Sequence, residues 1–218
     1  MAKKAGRPEP VPEEIGRSAS KRRAIIDAAT EVFLKGGYLG TNMDEIATLS
    51  GVSKQTVYKH FASKEALFVE IVGSMTSDAG DRVHNDAPDL PPDGDLAAYL
   101  EDYAYLQLSI VLTPQVMQLR RLVIGEVGRF PELARVLYER GPLRAIGILA
   151  AMFERLAARG LLRVDDARLA ASHFNWLVMS HALNEAMLLG DAAIPRPADL
   201  RRQAAAGVKV FLAAYGKR

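Results

Sequence analysis

Two lysines, a glutamine, a threonine and a histidine share the outer side of one short helical pattern. In Ser53 to Phe61, SKQTVYKHF, Val57 and Phe61 stand four residues apart and turn inward, leaving Lys54, Gln55, Thr56, Lys59 and His60 outside. These side chains donate to phosphate oxygens and base edges, and no acid between Asp44/Glu45 and Glu65 repels a polyanion. Lys54 or Lys59 has the donors for guanine O6 and N7, and the Gln55 amide matches adenine N6 and N7. Other chemistry is thinner. His181 and Glu185 share a helix face at metal-ligand spacing, with His173 eight residues earlier, but no third strong ligand and no HExxH accompany them. GxSxG, Walker and Rossmann patterns are absent. A metal-dependent helical enzyme is therefore the weaker reading, and no catalytic residue, metal or cofactor is expected.

Short local signals must position that outer face. Thr41 can cap a helix, with Asp44 three residues on as a capping-box partner, and Ile46, Ala47 and Leu49 form its apolar side. Gly51 follows where a left-handed backbone is cheap, so this helix stops, and Ser53 caps the next. Upstream, Ser20 is a candidate cap for a helix to about Lys35, with Ile26, Ala29 and Phe33 on one face and Ile25 and Val32 beside them. Gly36-Gly37 ends it, and Tyr38 packs back with Ile46, Val52, Val57 and Phe61. Ser63 caps a fourth helix from Lys64 to about Ser77, striped by Leu67, Phe68, Ile71, Val72 and Met75.

The run R-x-x-I-I-x-A-A-x-x-x-F-x-x-x-G-Y, then T-x-x-x-x-I-A, then G-V-S-x-x-T-V-Y-x-H-F-x-S-K-E-A-L covers Arg22 to Leu67 without a gap. It resembles the TetR family of transcriptional regulators. The resemblance implies that the second helix of the pair enters the major groove of double-stranded DNA. Lys54, Gln55 and Thr56 would then face base edges, and Tyr58, Lys59 and His60 would reach phosphates or nearby bases. Thr41 and Lys64 would clamp the backbone on either side, while Ser53 caps. The stretch QLRRLVIGEVGRFPELARVLYERGP resembles the C-terminal domain of the AefR-like branch of the same family.

The totals agree with such a protein. The chain has 218 residues, enough for a small helical domain plus a larger one. It contains no cysteine, which excludes disulfides and fits a reducing cytoplasm. No apolar run approaches the ~20 residues of a membrane span. Net charge is +2, and residues 1–65 hold 11 Lys+Arg against 8 Asp+Glu, so placement on one helix matters more than the total. Residues 1–19 read as a disordered arm in which Gly6-Arg7-Pro8 partly resembles an AT-hook core beside Lys3 and Lys4.

Residues 66–218 show helical periodicity throughout, with a proline-rich loop at 86–94. Thr113-Pro114, Pro131, Asp165 or Asp166, and Pro197 open helices; Gly160 and Gly190 close them; Gly141-Pro142 breaks or kinks one. The helix at 166–189 is apolar nearly all round and predicts burial on every side. Ala204 to Gly207 are small enough for close helix approach. Tyr103, Gln107, Met117, Arg121, Phe153, His173, Trp176, Met179 and Asn184 are candidates to line a cavity. The expectation is an all-α protein with a three-helix helix-turn-helix DNA-binding domain at 20–65 and a ligand-binding and dimerisation domain at 66–218. The resemblance adds a homodimer through the last two helices, a palindromic operator and a small-molecule effector that releases a repressor. A ligand-independent DNA-binding or architectural protein is the alternative.

Overall fold

The computed structural model describes residues 12–85, 90–92 and 94–217. Over these the chain is helical apart from turns and one isolated bridge between Leu162 and Gly216. The basic groups Lys3, Lys4 and Arg7 of the N-terminal arm lie outside the described residues. The helices are α1 Pro12–Gly40, α2 Met43–Leu49, α3 Lys54–His60, α4 Lys64–Asn85 and α5 Leu96–Val111. They continue as α6 Pro114–Gly125, α7 Pro131–Tyr138, α8 Arg144–Ala158, α9 Ala167–Leu189 and α10 Pro197–Tyr215. A first compact unit closes at Ile71 and a second opens at Val72, so the division falls within α4. The sequence reading places it after residue 65, in the first turns of the same helix.

In the first unit, α1 starts eight residues before Ser20, which sits inside the helix and caps nothing. Proline carries a helical φ already, so Pro12 is a start the chain can use. Regular geometry ends at Gly37, whose φ of 69° and ψ of 178° suit glycine alone. Ile25, Ala29, Val32 and Phe33 are the buried face of α1, whereas Ile26 is only half-buried. Phe33 stacks on Phe68 of α4 at 4.8 Å, and Tyr38 leans on Phe68 at 5.2 Å. Ile46, Val57, Phe61, Leu67 and Ile71 complete this small core. Leu49 is exposed and Met43 takes the inward place instead.

The second unit is built round three rings. Phe153 of α8, Phe174 of α9 and Phe211 of α10 are fully buried, with centroids 4.9 to 5.5 Å apart. Leu100, Ala104 and Leu108 of α5 join the same core. Each of these phenylalanines and leucines contributes roughly 1.5–3 kcal/mol by leaving water. Asp95, Thr113 and Asp166 cap their helices as their types predict, and Gly160 and Gly190 take positive φ at helix ends. Gly141-Pro142 does not break the chain's helical path. It widens into one π turn, Glu139–Leu143, that carries α7 into α8. Arg159 donates to the carbonyls of Leu90 and Pro91 at 2.8 Å each, holding the end of the proline-rich loop.

Two expectations about α9 and α10 change. Ala204 and Gly207 are buried within the chain, where a Cβ on Gly207 would meet Val178 Cγ2 at 3.2 Å. Close helix approach is thus used between α10 and α9 of one chain. Nor is α9 buried on every side. Leu169, Trp176, Leu177, Leu188 and Leu189 are exposed, as is Val210 of α10.

Candidate nucleic-acid interface and a cavity among the C-terminal helices

The first site is the outer side of α3. Ser53 has extended backbone geometry and its hydroxyl accepts from Thr56 N–H, which starts the helix cleanly. Gly51 (φ 66°) turns the chain between α2 and α3, and Val52 N–H bonds back to Ala47. Val57 and Phe61 are buried, so the helix rotates Lys54, Gln55, Tyr58 and Lys59 into solvent, with Thr56 and His60 at the margins. Basic Lys59 and His60 lie in the last turn.

Three placements were not legible in the sequence. Lys54 Nζ pairs with both carboxylate oxygens of Asp44, at 2.8 and 3.1 Å, so an acid from α2 reaches the start of α3. That hydrogen bond raises the Lys54 pKa. Asn42, not Thr41, caps α2, its side chain accepting from Asp44 N–H. Thr41 is buried and its hydroxyl donates to Gly37 carbonyl at 2.7 Å, because the turn at Gly37 brings that carbonyl back over it. Lys64 donates to Thr41 carbonyl at 2.7 Å and lies over the Tyr38 ring at 4.8 Å. Both expected backbone clamps are therefore engaged inside the unit. Beside them, the Tyr38 hydroxyl donates to Glu65 at 2.7 Å and holds its carboxyl below the ordinary value.

The second site is a cavity among α4, α5, α6, α7, the π turn, α8 and α9. Of the residues expected there, Gln107, Trp176 and Met179 line it. Tyr103, Met117 and Phe153 are packed in the core, and burial raises the Tyr103 pKa. His173 is exposed, its Nδ1 2.7 Å from the Tyr215 hydroxyl, and Asn184 is exposed with its amide on Ser180 carbonyl. Arg121 points elsewhere, pairing with Asp191 and donating to Ala186 carbonyl at 2.9 Å. Gln118 and Arg121 together hold the Asp191 carboxyl below its ordinary value. The arginine that does line the cavity is Arg120. It stands three residues from both Met117 and Val123, which are buried, so helical phase alone could have found it. Thr76, Gly80 and Val83 of α4 and Gly141-Pro142 of the π turn also line the cavity. The cavity volume is about 60 Å³, below the ~300 Å³ at which ligand pockets begin. His181 and Glu185 lie 3.9 Å apart on the surface, and no group of three metal-ligating side chains occurs among the described residues.

Two stretches of the chain match known families. Residues 25–71 match the bacterial regulatory proteins of the tetR family, and residues 98–217 match the C-terminal domain of AefR-like transcriptional repressors. The chain belongs to the TetR family of transcriptional regulators. A TetR-family regulator from Mesorhizobium loti shares 40% identity, covering 92% of this chain and 99% of that one, with a TM-score of 0.85. The flavonoid-responsive regulator FrrA shares 34% identity over 93% of this chain and 99% of its own, with a TM-score of 0.73. Among curated relatives, RutR of Escherichia coli is 41% identical over 54 residues, 25% of this chain and 26% of RutR. The chain therefore spans about a quarter of that relative's length, the part holding the helix-turn-helix. The repressor NicS of Pseudomonas putida is 29% identical over 66% of each chain. In this TetR-family member α2 and α3 are the helix-turn-helix, and α3 is its second helix.

Proposed function

We propose that this TetR-family protein is a homodimeric, DNA-binding repressor that leaves its operator when a small molecule enters the C-terminal cavity. One observation carries the DNA-binding half: an α3 surface of Lys54, Gln55, Thr56, Tyr58, Lys59 and His60, held outward by buried Val57 and Phe61. Lys54 and Gln55 at the start of α3 read base edges, while Lys59 and His60 reach phosphates. Dimerisation through α9 and α10 is supported by the uncovered Leu169, Leu177, Leu188 and Val210, apolar side chains that a second copy would remove from water. Two copies of α3 then meet two half-sites of a palindromic operator, roughly 34–36 Å apart. Among the described residues no helix is long and apolar enough to cross a membrane, in keeping with action at the chromosome in the cytoplasm.

Helix α4 is the means of release. Its first turns belong to the unit that holds α3, and its last turns supply Thr76, Gly80 and Val83 to the cavity. An effector larger than the cavity of about 60 Å³ is accommodated by moving its wall, and those turns of α4 are part of that wall. It thereby prefers one conformation over the other, which any shift of population requires. The flavonoid response of FrrA supports an effector of apolar or amphipathic character. The small cavity volume favours a second reading, a DNA-binding protein that answers to no ligand. The decisive experiment is to select bound duplexes from random DNA and then screen small molecules for release of the selected operator. Failure to enrich any duplex refutes the DNA-binding reading. An enriched operator that no compound releases favours the ligand-independent one.

A further inference from the structure

Arg120 has no hydrogen bond or ion pair among the described residues, although it lines a cavity. Its Nε is sealed from solvent and without a partner. No aspartate or glutamate lines the same cavity. Arg120 is half-buried, and its sealed Nε is unfavourable, because that N–H has left water and no acceptor among the described residues has replaced the hydration. Burial pulls its pKa down, yet an arginine does not discharge at ordinary pH. Its neighbour Arg121 is satisfied by Asp191 and Ala186, so the lack at Arg120 is not a general poverty of partners on α6. Gln107 shows the same incompleteness. Its amide nitrogen donates to Asn175 at 2.9 Å, but its Oε1 is buried and accepts nothing among the described residues. The rest of the wall is mainly apolar, including Val111, Leu119, Leu137, Met179 and Leu183.

We propose that the cavity takes an apolar monocarboxylate whose anion pairs with Arg120 and whose own hydroxyl or N–H donates to Gln107 Oε1. This deepens the sensor reading given above and rests on it for the consequence at DNA, though not for binding itself. An uncharged ligand of the same shape would leave the guanidinium unpaired, so the acid is preferred over the matching alcohol by about 10- to 100-fold, the range of hydrogen bonds to charged groups.

Trp176 is the single tryptophan of the chain and lines the cavity, so its emission reports occupancy. The probes are matched trios of carboxylic acid, primary alcohol and primary amine on phenylpropyl, naphthylethyl, octyl and decyl skeletons. They are titrated into the full-length protein, with sodium chloride as a separate arm. Binding of the acids 10- to 100-fold more tightly than their alcohols, with the preference kept by Arg120→Lys and lost in Arg120→Met, supports the proposal. In the absence of ligand, Arg120→Met also melts higher than wild type by about 2–4 °C, since a sealed and unsatisfied N–H has gone. A lower melting temperature would show that the guanidinium already has what it needs and would overturn the proposal. Equal binding of alcohols or amines, survival of acid preference in Arg120→Met, or a chloride effect matching that of the acids would overturn it too. If alcohols or amines release the selected operator while acids do not, this inference falls and the sensor reading stands. If acids bind through Arg120 and the operator stays bound, the inference stands and the sensor reading falls. If no probe of any charge moves the Trp176 emission or the melting temperature, both fall.

Discussion

Asp44 stands against the lysine best placed to read DNA, and its removal should change binding in a calculable way. Asp44→Asn keeps the shape of the side chain and its place in the first turn of α2, but takes one negative charge from the edge of the recognition surface. The Lys54 ammonium, now 2.8 Å from that carboxylate, is then left to the nucleic acid. Both side chains are more than half exposed, so the effect on folding is small and the effect on DNA is the one to measure. A net gain equivalent to one phosphate contact steepens the plot of log affinity against log salt by about 0.9. Raising salt from about 50 to about 200 mM then weakens the variant about 3- to 4-fold more than wild type, on any duplex. Fluorescence anisotropy of a labelled duplex across that range measures it. With the selected operator in hand, discrimination against random sequence falls as well, because Asp44 no longer aims Lys54. Lys54→Ala should lose affinity, and Asp44→Asn in that background should recover little of it. If Asp44→Asn has the wild-type slope, or if the two substitutions are additive, Lys54 does not exchange Asp44 for DNA and the reasoning is wrong.

Other perturbations test the frame that holds α3. Phe68→Ala removes the ring stacked on Phe33 and should cost about 3–5 kcal/mol, seen as loss of DNA binding by anisotropy and an early first transition in thermal denaturation; an unchanged transition would refute the assignment of this core. Gly51→Ala places a Cβ in open space at φ 66° and should cost about 1–2 kcal/mol. Gly37→Ala, at φ 69° and ψ 178°, enters a region nearly closed to side chains and should cost about 1–3 kcal/mol, so its urea midpoint should lie lower than that of Gly51→Ala. The Tyr38 hydroxyl depresses the Glu65 pKa, so its stabilising contribution is complete above the ordinary carboxyl value of about 4.3 and fades as pH falls through the lower folded value. Tyr38→Phe should therefore lose stability at pH 7 and differ less from wild type at pH 3, read from denaturation midpoints at both; an equal deficit at the two pH values would exclude this cause.

Much of the fold is written in local chemistry. Caps at Ser53, Asp95, Thr113 and Asp166, prolines at 114, 131 and 197, and glycines at 51, 160 and 190 act over a few residues, so their positions in the chain settled where helices begin and end. The inward pair Val57 and Phe61 likewise settled which side of α3 faces out. Where two neighbours had equal chemistry, the sequence could not choose. Thr41 and Asn42 both suit a cap, and the choice was made by the reversal at Gly37, which returned a carbonyl to the Thr41 hydroxyl. Met43 and Leu49 both suit a small core, and only Met43 is buried in it.

Arg120 and Arg121 show the division most plainly. They are adjacent, identical in type, and about 100° apart on one helix. Periodicity put Arg120 on the side of Met117 and Val123, and nothing in the string of letters said that Ala186 and Asp191, some 65 to 70 residues on, would meet Arg121 and leave Arg120 on a cavity wall without an acid. The sequence by itself determined the helices, their order and the outward face of α3, because these depend on torsions and hydrogen bonds between near neighbours. Only the tertiary structure decided which charges found partners, the pairing of Lys54 with Asp44 and the solitude of Arg120, because a partner for a charge is a matter of distance through space and not along the chain.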